Sequence, residues 1–304
     1  MRVCLMIEGQ EGVTWDDWVA LARTAEESGL EGLFRSDHYL GIGSGTPAAA
    51  LDAWATISAL AARTERIRLG TLVSPVTFRH PAVVARMVVT ADHVSRGRVE
   101  LGIGAGWYEA EHEAHGFSFP PLGERFAKLE ADTEAIVRAW TDDERQQPKA
   151  VQRPHPPLIV GGSAKPRGAR LAARFAQEYN TIFVPPEQCR ERRAALDEAC
   201  HVVGRDPSTL PLSLMTGCVI GRDEAEVRER ATALQRIRGD DGDIGAWIAR
   251  NADGGMLIGT VEQLADRVVA LEEAGVTRVF LQHLDHRDLA AVELMGRELA
   301  PAVA

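Results

Sequence analysis

The chain has 304 residues, 45% hydrophobic and 26% charged, with 34 basic and 44 acidic side chains and a net charge of −10. Disorder needs low hydrophobicity and high net charge, so it is excluded for the bulk of the chain, and an acidic surface argues against nucleic acid as a partner. No apolar run approaches the ~18 residues of a membrane helix, and Glu8 falls where a signal peptide would be apolar, so a cytosolic protein without a membrane partner is expected.

Val3–Ile7 reads as a first strand. A helix begins at Thr14, where Thr14 and Asp17 form a capping pattern, and stops at Gly29. The second strand, Gly32–Ser36, runs into Asp37 and His38, and a Gly-rich loop leads to a helix over Asp52–Ala62. A third strand covers Ile67–Val73, and its helix starts at Pro81, with Val84, Met87, Val88, Ala91 and Val94 as the buried stripe. Next come a strand at Val99–Ile103, a long loop and a helix over Leu122–Trp140. Later strands are predicted at Leu158–Val160, Asn180–Val184, Leu212–Ile220 and Arg278–Leu281. A second capping box, Thr260 with Gln263, opens the helix before the last strand; that helix ends at Gly275.

Strands and helices alternate throughout, and the strand count is eight. That pattern predicts an α/β fold, a (β/α)8 TIM barrel, rather than an open sheet. EESGLEGLF (Glu26–Phe34) echoes EEAGVTRVF (Glu272–Phe280), each a helix end, a glycine turn and a strand start. No linker or low-complexity tract divides residues 1–304, so one domain is expected. Four dispersed cysteines, Cys4, Cys189, Cys200 and Cys218, form no zinc, dithiol or disulfide spacing; Cys4 and Cys218 read as small buried hydrophobes.

In such a barrel, ligands meet the C-terminal ends of the strands. GIGAGW (Gly102–Trp107) fails the GxGxxG spacing, because Trp107 and Glu109 stand where glycine is required. Its glycines fit either close approach to a flat ring or tight packing of the strand. GGSAKPRGAR (Gly161–Arg170) opens a helix, and its free amides, Lys165 and Arg167 suit a phosphate cradle. His38 at a strand end is either structural or a general acid facing a redox ring. Glu109, Glu111, His112, Glu113 and His115 hold potential metal ligands, but a charged exposed turn is the preferred reading and no metal is expected. His283, Asp285, His286 and Asp288 are read the same way.

LFRSDH, RIRLGTLVSPVTFRHPAVVARM, SRGRVELGIGAGWYEAEHEAHGF, PPLIVGGSAKPRGARLAARFA and IGTVEQLADRV together resemble the bacterial-luciferase-like superfamily. The resemblance is closest to its coenzyme F420-dependent oxidoreductases and covers nearly the whole chain in collinear order. It implies a deazaflavin ring across the barrel mouth, faced by His38 as proton donor, with Asp37 and Thr71 beside it. It further implies a non-prolyl cis bond at Leu72–Val73 behind the ring. Gly104, Gly106 and Trp107 would border the ring and tail, Gly161, Gly162 and Ser163 would hold the phosphate, and Asn180 would match a polar residue at the sixth strand. This chain departs from the usual pattern with Ala164 in place of a third glycine. Its segment 141–157 is also short, which implies a more open substrate site.

The implied reaction is hydride transfer between deazaflavin C5 and a C=C, C=N or C=O group of a small-molecule substrate, with His38, Glu109 and Glu8 as proton-donor candidates in that order. The alternative is an FMN-dependent two-component monooxygenase, since such enzymes share the barrel and several of these motifs. A non-catalytic flavin-binding barrel is the third reading. A homodimer, and a separate F420-reducing or flavin-reducing enzyme as cofactor supplier, complete the expectations.

Overall fold

Alternation in the first strand sets the geometry of the interior. In β1 (Arg2–Ile7), Val3, Leu5 and Ile7 pack outward against helices, while Cys4 and Met6 face the barrel axis. The computed structural model describes residues 1–42, 49–142, 144 and 147–304. Gly43 and Gly45 of the expected loop, and Asp143, Arg145 and Gln146 of the short 141–157 segment, lie outside the described residues.

The remaining strands are β2 (Gly32–Arg35), β3 (Arg68–Thr71), β4 (Ser74–Pro75), β5 (Val99–Gly104), β6 (Leu158–Gly161), β7 (Glu178–Ile182), β8 (Leu212–Gly221), β9 (Leu257–Thr260) and β10 (Val276–Gln282). All pairings are parallel, in the order β10-β1-β2-β3-β5-β6-β7-β8, and β8 pairs with β10 to close the ring. This is the predicted eight-stranded barrel. The helices include α1 (Trp15–Ser28), α2 (Ala53–Ala61), α3 (Pro81–Ser95), α4 (Glu109–His115), α5 (Leu122–Thr141), α6 (Pro166–Phe175), α7 (Pro186–Val202), α8 (Glu224–Ile237), α9 (Ile244–Asp253) and α10 (Val261–Glu273). None of the described helices is long and apolar enough to cross a membrane.

The predicted caps form as read. Thr14 and Asp17 close a capping box on α1, and Thr260 and Gln263 close one on α10. Gly29 takes the left-handed conformation (φ +93°) that stops α1, and Pro81 occupies the first turn of α3.

Inside the barrel, large residues face glycines. Arg278 lies between the rings of Phe34 and Phe280, with its guanidinium carbon 4.8 and 4.7 Å from their centroids. Its Nη1 bonds Glu100 at 2.8 Å and Glu178 at 3.2 Å, and Arg68 adds a second cation on Glu100. Phe34 and Phe280 are the final residues of the two echoed segments, and they meet edge to face at 4.9 Å. Room for Phe34 comes from Gly32 and Gly70: a Cβ at Gly70 would lie 2.5 Å from Phe34 and 2.6 Å from the Glu100 carbonyl. Cys4 is buried, but it is more than a hydrophobe, because Arg278 Nε donates to its Sγ at 3.2 Å. Burial still pushes its thiol up to about 12.

Three predicted elements shift. The third strand is split, with β3 ending at Thr71 and β4 resuming at Ser74 across a cis Leu72–Val73 bond. β7 starts at Glu178 rather than Asn180, because the inward Glu178 serves the buried Arg278 and therefore breaks the apolar pattern. Only the first part of β8 belongs to the barrel. Cys218–Gly221 pairs instead with β9, an unpredicted strand, in an excursion that also carries α8 and α9.

Two stability predictions follow from this interior. Gly70→Ala should cost about 1–3 kcal/mol through overpacking, whereas Gly123→Ala, with open space around its Cβ, should gain up to about 1 kcal/mol; thermal melts of both variants check the opposite signs. Arg278→Met should cost about 3 kcal/mol at neutral pH by stranding buried acids. Burial alone would raise the Glu100 carboxyl, but Arg278 and Arg68 hold it below its ordinary value. Its contribution is therefore present above the unfolded value and lost as pH falls, so the gap between parent and variant should narrow in urea titrations below about pH 4.5.

Candidate active site

The carboxyl ends of the strands gather His38, Val73, Gly104, Trp107, Gly161 and Glu8 around one rim, as the barrel requires. His38 follows β2, and its Nδ1 lies 2.8 Å from Glu111 Oε2. The other oxygen of Glu111 accepts the backbone amides of Tyr39 and of Leu40, the latter at 3.0 Å. Glu111 thus fixes both the ring and the loop that carries it. Burial would lower the His38 pKa, but the hydrogen bond and charge of Glu111 outweigh it and hold the imidazole above its ordinary value. Burial would raise Glu111, and His38 with the two amides holds it low.

The structure corrects the expected exposed turn at 109–115. Glu111 and His112 are buried, with His112 bridging Thr77 Oγ1 and the Tyr108 carbonyl, each at 2.7 Å. Glu109 is exposed and has no hydrogen-bond or ion-pair partner among the described residues. Two residues along a helix is a 200° turn, so Glu109 and Glu111 point to opposite sides, and composition alone did not distinguish them. Among the described residues, no group of three or more His, Cys, Asp or Glu could hold a metal ion.

Asp37 is a buried anchor. Its carboxylate accepts Ser74 Oγ at 2.6 Å and both terminal nitrogens of Arg79, at 2.6 and 3.1 Å. Arg79 continues to Asp52 at 2.6 Å and Tyr39 Oη at 2.7 Å. That network, which sequence reading missed, clamps the loop after His38 from behind.

Val73 occupies the space that the glycines leave. A Cβ on Gly104 would meet Val73 Cγ2 at 2.8 Å, and one on Gly161 would meet its Cγ1 at 3.0 Å. Of the two readings of GIGAGW, packing therefore holds for Gly102 and Gly104. The half-buried outer face of Val73 and the bare backbone around it form a low apolar ledge. Thr71 backs the ledge by donating to the Gly102 carbonyl at 3.0 Å, and Leu72 joins the interior cluster. Gly106 has φ +81°, and a side chain there would press on Thr77 Oγ1 at 3.1 Å. Trp107 is 60% exposed and meets the His38 ring edge to face at 5.8 Å.

The predicted phosphate cradle is partly spent on the fold. Gly162 N–H donates to the Asn180 carbonyl at 2.9 Å, and Ala164 N–H donates to Tyr179 Oη at 2.8 Å from a left-handed conformation (φ +52°). Arg167 is tied to Glu130 at 2.6 Å, and the Asn180 amide donates to Ser213 at 3.0 Å. What remains for an anion is Ser163, Lys165 and the first-turn amides of α6. After the last strand, His283 is buried against the Asp288 carbonyl and Asp288 pairs with Arg230 at 2.6 Å, so both brace the fold.

Glu8 tops the interior face of β1. Its two oxygens accept the side-chain amides of Gln282 at 2.6 Å and Gln10 at 2.9 Å. Neither glutamine stood out in the sequence.

Residues 2–278 match the family described as Luciferase-like monooxygenase. The FMNH2-dependent dimethylsulfone monooxygenase of Pseudomonas putida is 28% identical, covering 93% of this chain and 86% of its own. The F420-dependent glucose-6-phosphate dehydrogenase of Amycolatopsis mediterranei is 36% identical over 55% of this chain, which spans about half of that relative's length (52%). Monooxygenase RslO1 from Streptomyces bottropensis shares the fold over the full length of both chains, at a TM-score of 0.84 and 22% identity. With a closed eight-stranded barrel and a family match across nearly its whole length, the chain belongs to the luciferase-like monooxygenase family, whose members include both F420-dependent and FMN-dependent enzymes.

Proposed function

We propose that this chain is an F420-dependent oxidoreductase that transfers a hydride between the deazaflavin and a small organic substrate. The observation that carries the reading is His38, bonded through Nδ1 to Glu111, which raises its pKa, beside an apolar ledge of Val73 and bare backbone. The residues present fit a flat redox ring: the ledge offers no polar side chain to desolvate, and Ser163 and Lys165 are exposed, with no hydrogen-bond or ion-pair partner among the described residues, for an anionic tail. When bound, the reduced deazaflavin supplies a hydride from C5. Glu111 commits Nδ1, so His38 exchanges its proton through Nε2. Trp107 covers the ring edge of His38, and the Arg79 network keeps the loop in place.

Local identity to an F420-dependent dehydrogenase supports this cofactor. The longer match to an FMNH2-dependent monooxygenase favours a second reading, an FMN-dependent monooxygenase fed by a separate reductase. Optical titration of the protein with F420 and with FMN, followed by oxygen uptake under turnover, separates them: F420 uptake without oxygen consumption is expected, and tight FMN uptake with oxygen consumption would overturn the proposal.

Two variants test the roles. His38→Ala should lower turnover about 10²–10⁴-fold with cofactor uptake preserved; unchanged turnover would remove His38 from the chemistry. In the parent, the His38 ring should titrate above its ordinary value, and Glu111→Gln should lower it, because burial then meets only the charges of Glu8 and Asp37. Imidazole chemical shifts followed by NMR across pH 5–9 would read the change.

A further inference from the structure

We infer that Glu8 is the substrate-selecting residue of this mouth, and that it selects a substrate bearing a cationic nitrogen. The inference rests on the barrel mouth being the reaction site, as proposed above.

The rim has two unlike halves. On the β3, β5 and β6 side stand Val73 and the backbone of Gly104 and Gly161, apolar and shallow. Across the barrel, β10 and β1 present Gln282 and Glu8. A ring that lies on the apolar half leaves the polar half to the substrate. Glu8 there is only partly buried, and its carboxylate is held at both oxygens by neutral side-chain amides, Gln282 on Oε1 and Gln10 on Oε2. Gln10 is itself fully buried and locked by Ser36, whose hydroxyl donates to its Oε1 at 2.5 Å. No lysine or arginine forms an ion pair with Glu8 among the described residues. A buried salt bridge would have consumed this carboxylate, as happens to Asp37 and Glu111 nearby. Instead the amides orient it, and the two groups whose charge reaches it, Arg35 and His38, spend their hydrogen bonds elsewhere, Arg35 on Thr56 and the Ser36 and Leu51 carbonyls and His38 on Glu111, so acceptor positions remain on each oxygen. A preorganised carboxylate with no direct ion pair strengthens most towards a charged donor, in the form of an ammonium or iminium N–H.

The test uses three ring probes of nearly equal size, pyrrolidinium, cyclopentanol and cyclopentanecarboxylate, titrated by saturation-transfer NMR into the full chain with and without F420. Pyrrolidinium should bind about tenfold tighter than cyclopentanol, with the carboxylate weakest, and Glu8→Gln should abolish that order. Glu8→Asp, which keeps the charge, should retain the order. Equal binding of the amine and the alcohol, or an order that survives Glu8→Gln, would overturn the inference. A failure of the F420 proposal would show separately, as absent cofactor uptake, while the probe order on the protein alone still reads Glu8.

Discussion

The exchange of side-chain volume for bare backbone inside the barrel governs both its core and its mouth. Phe34 is accommodated because Gly32 and Gly70 contribute no Cβ, and Val73 is accommodated because Gly104 and Gly161 contribute none. Interiors are packed to crystal density, so each large residue needs a matching void on its neighbours. In the lower barrel the arrangement encloses Arg278 between two rings and among carboxylates. At the rim it leaves a flat aliphatic face.

The second organising element is the chain of hydrogen bonds that fixes His38. Glu111 comes from α4, Asp37 and Tyr39 from the loop after β2, and Arg79 from the segment before α3. Three separate stretches therefore fix the loop that carries this imidazole, and Glu111 alone bonds the ring. A single free histidine on a loop would lose rotamer freedom on every encounter with a ligand; here that cost is met during folding. Glu8 is oriented by the same logic, through amides from β10 and the loop after β1.

Much of this was legible before the structure. The capping boxes at Thr14 and Thr260, the stop at Gly29 and the start at Pro81 are local, since each depends on residues within one turn. Eight strand-helix alternations leave few topologies other than a closed barrel. What misled was polarity directed inward. Glu178 concealed the start of β7, and the excursion with β9 interrupted the count within β8. The phosphate cradle was legible as a glycine turn, but Tyr179 and Asn180 take up two of its amides from β7, a strand whose alignment the turn does not reveal.

The amino-acid order alone determined the fold class, the family resemblance and the candidacy of His38, because these rest on periodicity, turn chemistry and local motifs. Only tertiary structure decided which acid serves that histidine. Glu109 and Glu111 share composition and neighbourhood, and helical rotation sends one to solvent and the other to Nδ1. The same holds for the glycines of β5, whose partner Val73 sits in the break between β3 and β4 and is brought against them by the pairing of both strands with β5.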